Sequence, residues 1–142
     1  MSKASLRPIT GDDYTLVLAL NEVNVDLLAP LDANRLAWLV GIADHADVIE
    51  VDGGFAGFVI TFGPGTPYDS ENYHWFTERY GHDFYYLDRI VVDDAFRRQG
   101  LGSFVYDAME QAASGHGRLA LEVNLEPPNE TSLAFHKARG YA

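Results

Sequence analysis

Apolar and polar positions recur along the chain with two periods, and the alternation between them predicts the order of the elements. Residues 6–9 read as a short opening strand. Thr10, Asp12 and Asp13 then supply helix-capping chemistry ahead of Leu16, Leu20 and Val23, whose spacing predicts a first helix. A second helix is predicted after Asp32, with Leu36, Leu39 and Val40 on its buried side. Residues 48–51 and 55–62 flank Asp52-Gly53-Gly54, a hairpin signal because glycine supplies the positive φ angles that tight turns need. Residues 63–83 carry no clean period: Pro, Gly, Asn and Asp interleave with Tyr68, Tyr73, Trp75, Phe76 and Tyr80. A long aromatic connection of this kind reads as a binding loop or lid, or equally as a satellite of the core or a dimer surface.

The second half is more regular. Residues 85–92 read as a strand, 100–114 as a helix, 119–125 as a strand and 130–138 as a closing helix. Strand, helix, strand, helix in that order implies a crossover with at least one parallel pair, whereas the earlier hairpin is antiparallel. The expected fold is therefore α/β: a mixed, mostly antiparallel sheet with helices on both faces. The 142 residues fit a single domain spanning residues 1–142.

Composition narrows the function classes. The chain has no cysteine, which excludes a disulfide framework, a thiolate metal site and an acyl-cysteine intermediate. Its net charge of −11 repels a polyanion, so nucleic acid is not an expected partner, although an acidic surface can steer cationic amines. The first nine residues lack the apolar core of a signal peptide, and no stretch approaches the roughly 18 apolar residues of a membrane span. A cytoplasmic protein without a membrane partner is the expectation. His45, His74, His82 and His116 show no ligand spacing, so no metal site is expected.

The segment richest in chemistry joins the strand at residues 85–92 to the helix at 100–114. In that helix Leu101, Phe104, Val105, Ala108, Met109 and Ala112 recur at the spacing of one buried stripe. A helix N-terminus leaves backbone N–H groups unpaired and carries about half a positive charge, so a phosphate placed there is stabilised. Gly100 and Gly102 remove side chains that would block a pyrophosphate, and Arg97 and Arg98 add permanent charge. Val105 stands where a dinucleotide fingerprint needs glycine, and the Gly-Lys-Ser/Thr of a P-loop is absent. A Gly-x-Gly at a helix start also occurs as plain turn chemistry.

Val92 followed by Arg97-Arg98-Gln99-Gly100-Leu101-Gly102 resembles the Arg/Gln-x-x-Gly-x-Gly/Ala motif of the GNAT superfamily of N-acetyltransferases. The run Asn129-Glu130-Thr131-Ser132-Leu133-Ala134-Phe135-His136-Lys137-Ala138-Arg139-Gly140-Tyr141 is similar to that family's closing helix, Asn-x-x-Ala-x-x-Phe-Tyr-x-x-x-Gly-Phe. The resemblance is close over the second half and rests on element order over the first. It implies acetyl-CoA as cosubstrate, with pantetheine pairing against the backbone of Ile90, Val91 and Val92. It also implies a pyrophosphate cradled by Arg97, Arg98, Gln99, Gly100, Leu101, Gly102 and Ser103, with Asn129 beside the pantetheine arm. The acceptor it implies is a primary amine of a small molecule or peptide.

An alkyl amine with a pKa near 10 must lose a proton before attacking a thioester, so a base is expected. Strict alternation places residues 86, 88, 90 and 92 on one face, where relatives often carry a carboxylate, and Asp88 is the matching candidate. Its other reading is a structural partner of Arg89 or of a loop amide. The backbone N–H of Val91 or its neighbour is the expected oxyanion donor. His136 stands where the family commonly has a tyrosine thought to protonate the departing thiolate. Imidazole can supply that proton at neutral pH, and a structural contact is the alternative. Most relatives continue into further strands beyond the position of Gly140-Tyr141, so C-terminal strands are expected to be missing here. Residues 119–125 would then offer an edge for pairing with a second chain, which makes a homodimer an expectation. A non-catalytic acyl-CoA-binding module is the rival to the enzyme.

Overall fold

The structure, a computed structural model, describes residues 4–23, 30–93, 96, 100–121 and 137–139. The opening strand β1 runs over Ala4–Pro8, and Ile9 follows it into the core. Thr10 N donates to Asp13 Oδ2 at 2.8 Å, while Asp13 N donates back to Thr10 O at 2.9 Å, closing the turn before helix α1, Tyr14–Val23. Arg7 forks onto both oxygens of buried Asp13 at 2.7 Å each. That guanidinium holds the Asp13 carboxyl well below the usual carboxylate range. A depressed native pKa adds stability that is complete above the unfolded value, near 4, and is lost as pH falls toward the native one. Asp13→Ala is therefore expected to cost about 2 kcal/mol at neutral pH. In urea unfolding curves the gap between the two proteins should narrow progressively below about pH 4.

The buried face of α1 carries Val17, Leu20 and Asn21, whereas Leu16 and Val23 are exposed. The stripe is thus rotated from the expected Leu16, Leu20, Val23 row, because a polar Asn21 turns inward to serve a buried arginine. Helix α2, Ala33–Ile42, is capped by Asp32, whose side chain accepts from Arg35 N at 2.7 Å, and it buries Leu36 and Leu39 as expected. Strands β2, His45–Val51, and β3, Gly54–Phe62, form the hairpin; Asp52 and Gly53 both adopt positive φ, 52° and 83°.

The connection after β3 is not all loop. Helix α3, Glu71–Tyr80, opens at Ser70, which accepts from Tyr73 N at 3.3 Å, and ends at Gly81 with φ 62°. Tyr73, Phe76 and Tyr80 lie on one side of it and join a core cluster with Tyr68. Strand β4, Tyr85–Val92, follows, then helix α4, Leu101–Ala113, and strand β5, Leu119–Ala120. The sheet order is β1-β2-β3-β4-β5, antiparallel throughout except for the parallel β4–β5 pair. This is the mixed, mostly antiparallel sheet expected. Of the strand predicted at 119–125, residues 122–125 lie outside the described residues, as does most of the closing helix, of which Lys137 and Ala138 are helical.

Two apolar layers sandwich the sheet. One joins α1, α2 and α3 to Val48, Phe58, Ile60, Phe62, Tyr86 and Val91; the other joins α4 to Ile49, Val51, Ala56, Val59 and Leu87. Helices therefore cover both faces. The buried residues of α4 are Leu101, Val105, Tyr106, Met109 and Ala113, and Phe104 is 36% exposed. Tyr106 displaces the expected Phe104 from the stripe and receives the Arg139 guanidinium 5.5 Å from its ring. Arg139 also bridges to Asp107 at 2.8 Å and Glu110 at 2.7 Å, tying the C-terminal segment to α4. No helix among the described residues is long and apolar enough to cross a membrane.

Candidate active site

The site is built on an irregularity in β4. Arg89 pairs with Ile60 of β3 and Leu87 with the next residue, Thr61, so Asp88 is an extra residue with no opposite number. The bulge alters which side chains share a face. Tyr86 and Val91, five positions apart, enter one layer; Leu87, Ile90 and Val92 enter the other. The expected common face of residues 86, 88, 90 and 92 is corrected accordingly: Tyr86 lies on the α1 side, while Ile90 and Val92 lie on the α4 side.

Asp88 is held at both oxygens. The Tyr68 hydroxyl donates to Oδ1 at 2.9 Å, and Arg89 Nε donates to Oδ2 at 3.2 Å. The carboxylate side chain is 10% exposed. Burial pushes its pKa up, against the opposing pull of the Arg89 charge, the two hydrogen bonds and the more remote Arg35. Arg89, itself buried, passes Nη1 to Asn21 Oδ1 of α1 at 3.0 Å. The pairing with Arg89 that the sequence offered as the other reading of Asp88 is present, in a carboxyl that is largely buried.

A second group of side chains borders this neighbourhood. Tyr68 stacks on Phe62, with centroids 4.2 Å apart, and Asp69 beside it accepts from Arg35 of α2 at 2.9 and 2.5 Å. The Arg35 guanidinium lies 4.5 Å from the Trp38 ring centroid. Nothing in the sequence ties Tyr68 to Asp88, twenty positions away, because the contact depends on the bulge and on the fold of the β3–α3 connection. The aromatic density of residues 63–83 was the one available signal.

The N-terminal end of β4 is pinned: Tyr85 N donates to Arg118 O at 2.8 Å, and its hydroxyl bonds Thr61 Oγ1 at 2.8 Å and the Asp44 carboxylate. Among the described residues β5 pairs with Tyr85 and Tyr86, and Leu121 has already left the strand. From Leu87 onward, the β5-facing side of β4 has no described strand partner. That is where Ile90, Val91 and Val92 lie.

Helix α4 opens at Gly100, in the left-handed region with φ 73°. This N-cap has no side-chain hydrogen bond, and an added Cβ there would meet nothing within 4 Å. The first helical bond runs from Phe104 N to Gly100 O at 3.0 Å, so the amides of Leu101, Gly102 and Ser103 precede the helical ladder. Leu101 is buried in the same cluster as Ile90 and Val92, which brings the turn and the end of β4 together. Among the described residues no side chain caps these amides, an arrangement that fits a phosphate. Arg97, Arg98, Gln99, Asn129 and His136 lie outside the described residues. A cavity of about 340 Å³ lined by Glu110, Ser114, Arg118 and Arg139 sits at the opposite end of α4 and is separate from this turn.

The fold is shared with solved structures. Ard1 from Thermoplasma volcanium superposes with a TM-score of 0.74 at 19% identity, over 98% of this chain and 82% of that one. The ribosomal-protein-S18-alanine N-acetyltransferase from Escherichia coli gives 0.68 at 20% identity, over 97% of this chain and 77% of that one. Arabidopsis thaliana Naa50, solved with the bisubstrate analogue CoA-Ac-MVNAL, gives 0.68 at 16% identity, over 96% and 82% respectively. No curated protein matches the chain in sequence. The family model named Acetyltransferase (GNAT) family matches residues 13–141, most of the chain; with its bulged β4 and uncapped α4, the chain belongs to that family and is an acyltransferase.

Proposed function

We propose that the chain is an acetyl-CoA-dependent N-acetyltransferase that moves the acetyl group to a primary amine of a small molecule or peptide, by direct attack within a ternary complex. The observation that carries this reading is the opening of α4 at a left-handed glycine with no side-chain cap among the described residues, in the helix that follows a strand whose far side is unpaired among those residues. A diphosphate is the ligand such amides favour. In this reading Gly100, Leu101, Gly102 and Ser103 offer backbone N–H groups to it, with Arg97, Arg98 and Gln99 alongside. Ile90, Val91 and Val92 offer backbone to the pantetheine arm, and Asn129 stands beside it.

The bound thioester supplies an activated acetyl group. Asp88 takes the proton released as the amine nitrogen bonds the carbonyl carbon, directly or through one water, and its raised pKa suits it to that task. The backbone N–H of a neighbour of Val91, Ile90 or Val92, faces the charge that develops on the carbonyl oxygen, because Asp93 N donates to Ala56 O and Val91, two positions earlier, points its own N–H at β3 as well. His136 hands a proton to the thiolate as the C–S bond breaks. No step calls on a metal. The E. coli neighbour is described as acting on an alanine of a ribosomal protein and the Arabidopsis neighbour was solved with a peptide-bearing analogue, which supports an amine acceptor.

One observation favours a second reading. Both oxygens of Asp88 are already engaged, by Tyr68 and Arg89, as in a structural carboxylate of a non-catalytic acyl-CoA-binding module. Two measurements decide. Calorimetry with coenzyme A is expected to give a clear binding isotherm that weakens at least tenfold in Gly100→Val, since a β-branched residue resists a positive φ. Thiol release from acetyl-CoA with a panel of primary amines is expected to exceed the amine-free rate. Absence of any binding heat would remove the reading altogether; binding without amine-dependent thiol release would leave the module.

A further inference from the structure

The carboxylate at the β4 bulge is gripped by a side chain from a different part of the chain, and that side chain is itself braced. Tyr68 is 5% exposed and lies between β3 and α3, in the aromatic connection. Its ring stacks on Phe62 at 4.2 Å, its N donates to Thr66 O at 2.8 Å, and its carbonyl bonds His74 Nε2 at 2.7 Å. The next residue, Asp69, is forked by Arg35, whose guanidinium also lies 5.9 Å from the Tyr68 ring centroid. Ring, backbone and neighbouring charge thus fix one hydroxyl, and that hydroxyl points at Asp88 Oδ1.

We infer that Tyr68 is a positioning residue that sets the proton affinity of Asp88, and that the Arg35–Asp69 bridge from α2 holds Tyr68 in place to do so. The consequence for acetyl transfer rests on the base role proposed above for Asp88. The chemistry is that of a donor to a carboxylate: it stabilises the charged form and opposes the burial that would otherwise keep Asp88 protonated. The charged and titratable groups facing Asp88 are Tyr68 from the connection, Arg89 on β4 and, more remotely, Arg35 on α2; α1 contributes the neutral Asn21, which engages Arg89. Removing the Tyr68 donor therefore raises the Asp88 pKa. Cutting the Arg35–Asp69 bridge acts in the same direction but less, because Asp69 is largely exposed and such pairs are weak.

The test uses the full chain and two readouts. The first is a carbon-13 carboxyl NMR titration of Asp88, which needs no substrate. The second is the acid limb of kcat/KM against pH. Tyr68→Phe keeps the ring and its packing; it is expected to raise the Asp88 midpoint by about one pH unit and to move the kinetic limb equally. Asp69→Asn is expected to raise it by roughly a third as much. Tyr106→Phe removes the hydroxyl of a buried tyrosine of α4, in the apolar layer on the other face of the sheet from Tyr68, and should leave the midpoint unchanged. An unmoved midpoint in Tyr68→Phe overturns the inference, and an unmoved one in Asp69→Asn overturns the part played by the bridge. A midpoint that rises while the kinetic limb stays supports the grip of Tyr68 and removes Asp88 as the base. Unfolding midpoints in urea identify any variant that acts through global stability.

Discussion

Replacing Gly57 with alanine is expected to lower the melting temperature by about 10 °C and to weaken binding of coenzyme A by more than tenfold. Gly57 of β3 faces Val92 of β4 in the ladder, and the two strands approach so closely that an added Cβ would stand 2.1 Å from Val91 O and 3.0 Å from Val92 Cα. Both are backbone atoms and cannot rotate aside. The strands must separate instead, at a cost of about 3 kcal/mol, the upper range for forcing extra atoms into a packed interior. The displaced segment contains Val91 and Val92, which the proposed function assigns to the pantetheine arm, so stability and affinity should fall together. Differential scanning calorimetry with and without coenzyme A measures both. A variant that melts with the wild type would show that β3 and β4 are not so close at this point.

The largest expected effect on turnover comes from Asp88→Asn. The amide retains the shape, and its oxygen can still accept from Arg89 while its Nδ2 donates to the Tyr68 hydroxyl, but it cannot take a proton. Loss of a positioned general base typically costs 10²–10⁴ in rate, so kcat/KM should fall by about a thousandfold and lose its acid limb, while coenzyme A affinity stays within about threefold. Stability should move the other way. A carboxyl whose native pKa is raised is most favourable to the fold below its unfolded pKa, near 4, and that contribution is lost as pH climbs through the native value. At neutral pH the neutral amide is therefore expected to be at least as stable as the ionised acid. Steady-state kinetics beside urea unfolding at pH 7 read the two effects separately, and an active Asp88→Asn enzyme would remove the base assignment.

The sequence reveals the fold where a period is long or a turn is chemically marked. The Asp52-Gly53 turn fixes the hairpin, and apolar spacing places α2 and α4. It is less informative where side chains exchange roles. Asn21 is polar yet buried because Arg89 needs an acceptor, which rotates the face of α1. Helix α3 is hidden because its buried row is aromatic, Tyr73, Phe76 and Tyr80, set among Glu, Asn and His in a stretch that opens with turn residues. The glycine turn is legible because its chemistry is local. The surroundings of Asp88 are not, because they join residues 21, 35, 68, 69 and 89 through three-dimensional contacts and a single extra residue in β4.

That extra residue carries a consequence for what selection can act on. Omit position 88 and the two apolar rows of β4 stay in phase: Tyr86, Arg89 and Val91 still fall on one side, Leu87, Ile90 and Val92 on the other. An uninterrupted ladder would keep both rows on their present sides, so the insertion is not required to set which side chains face which layer. What it adds is one carboxylate displaced from the strand lattice, without an opposite number in β3, so that a change at this position touches Tyr68 and Arg89 and leaves both apolar rows in place.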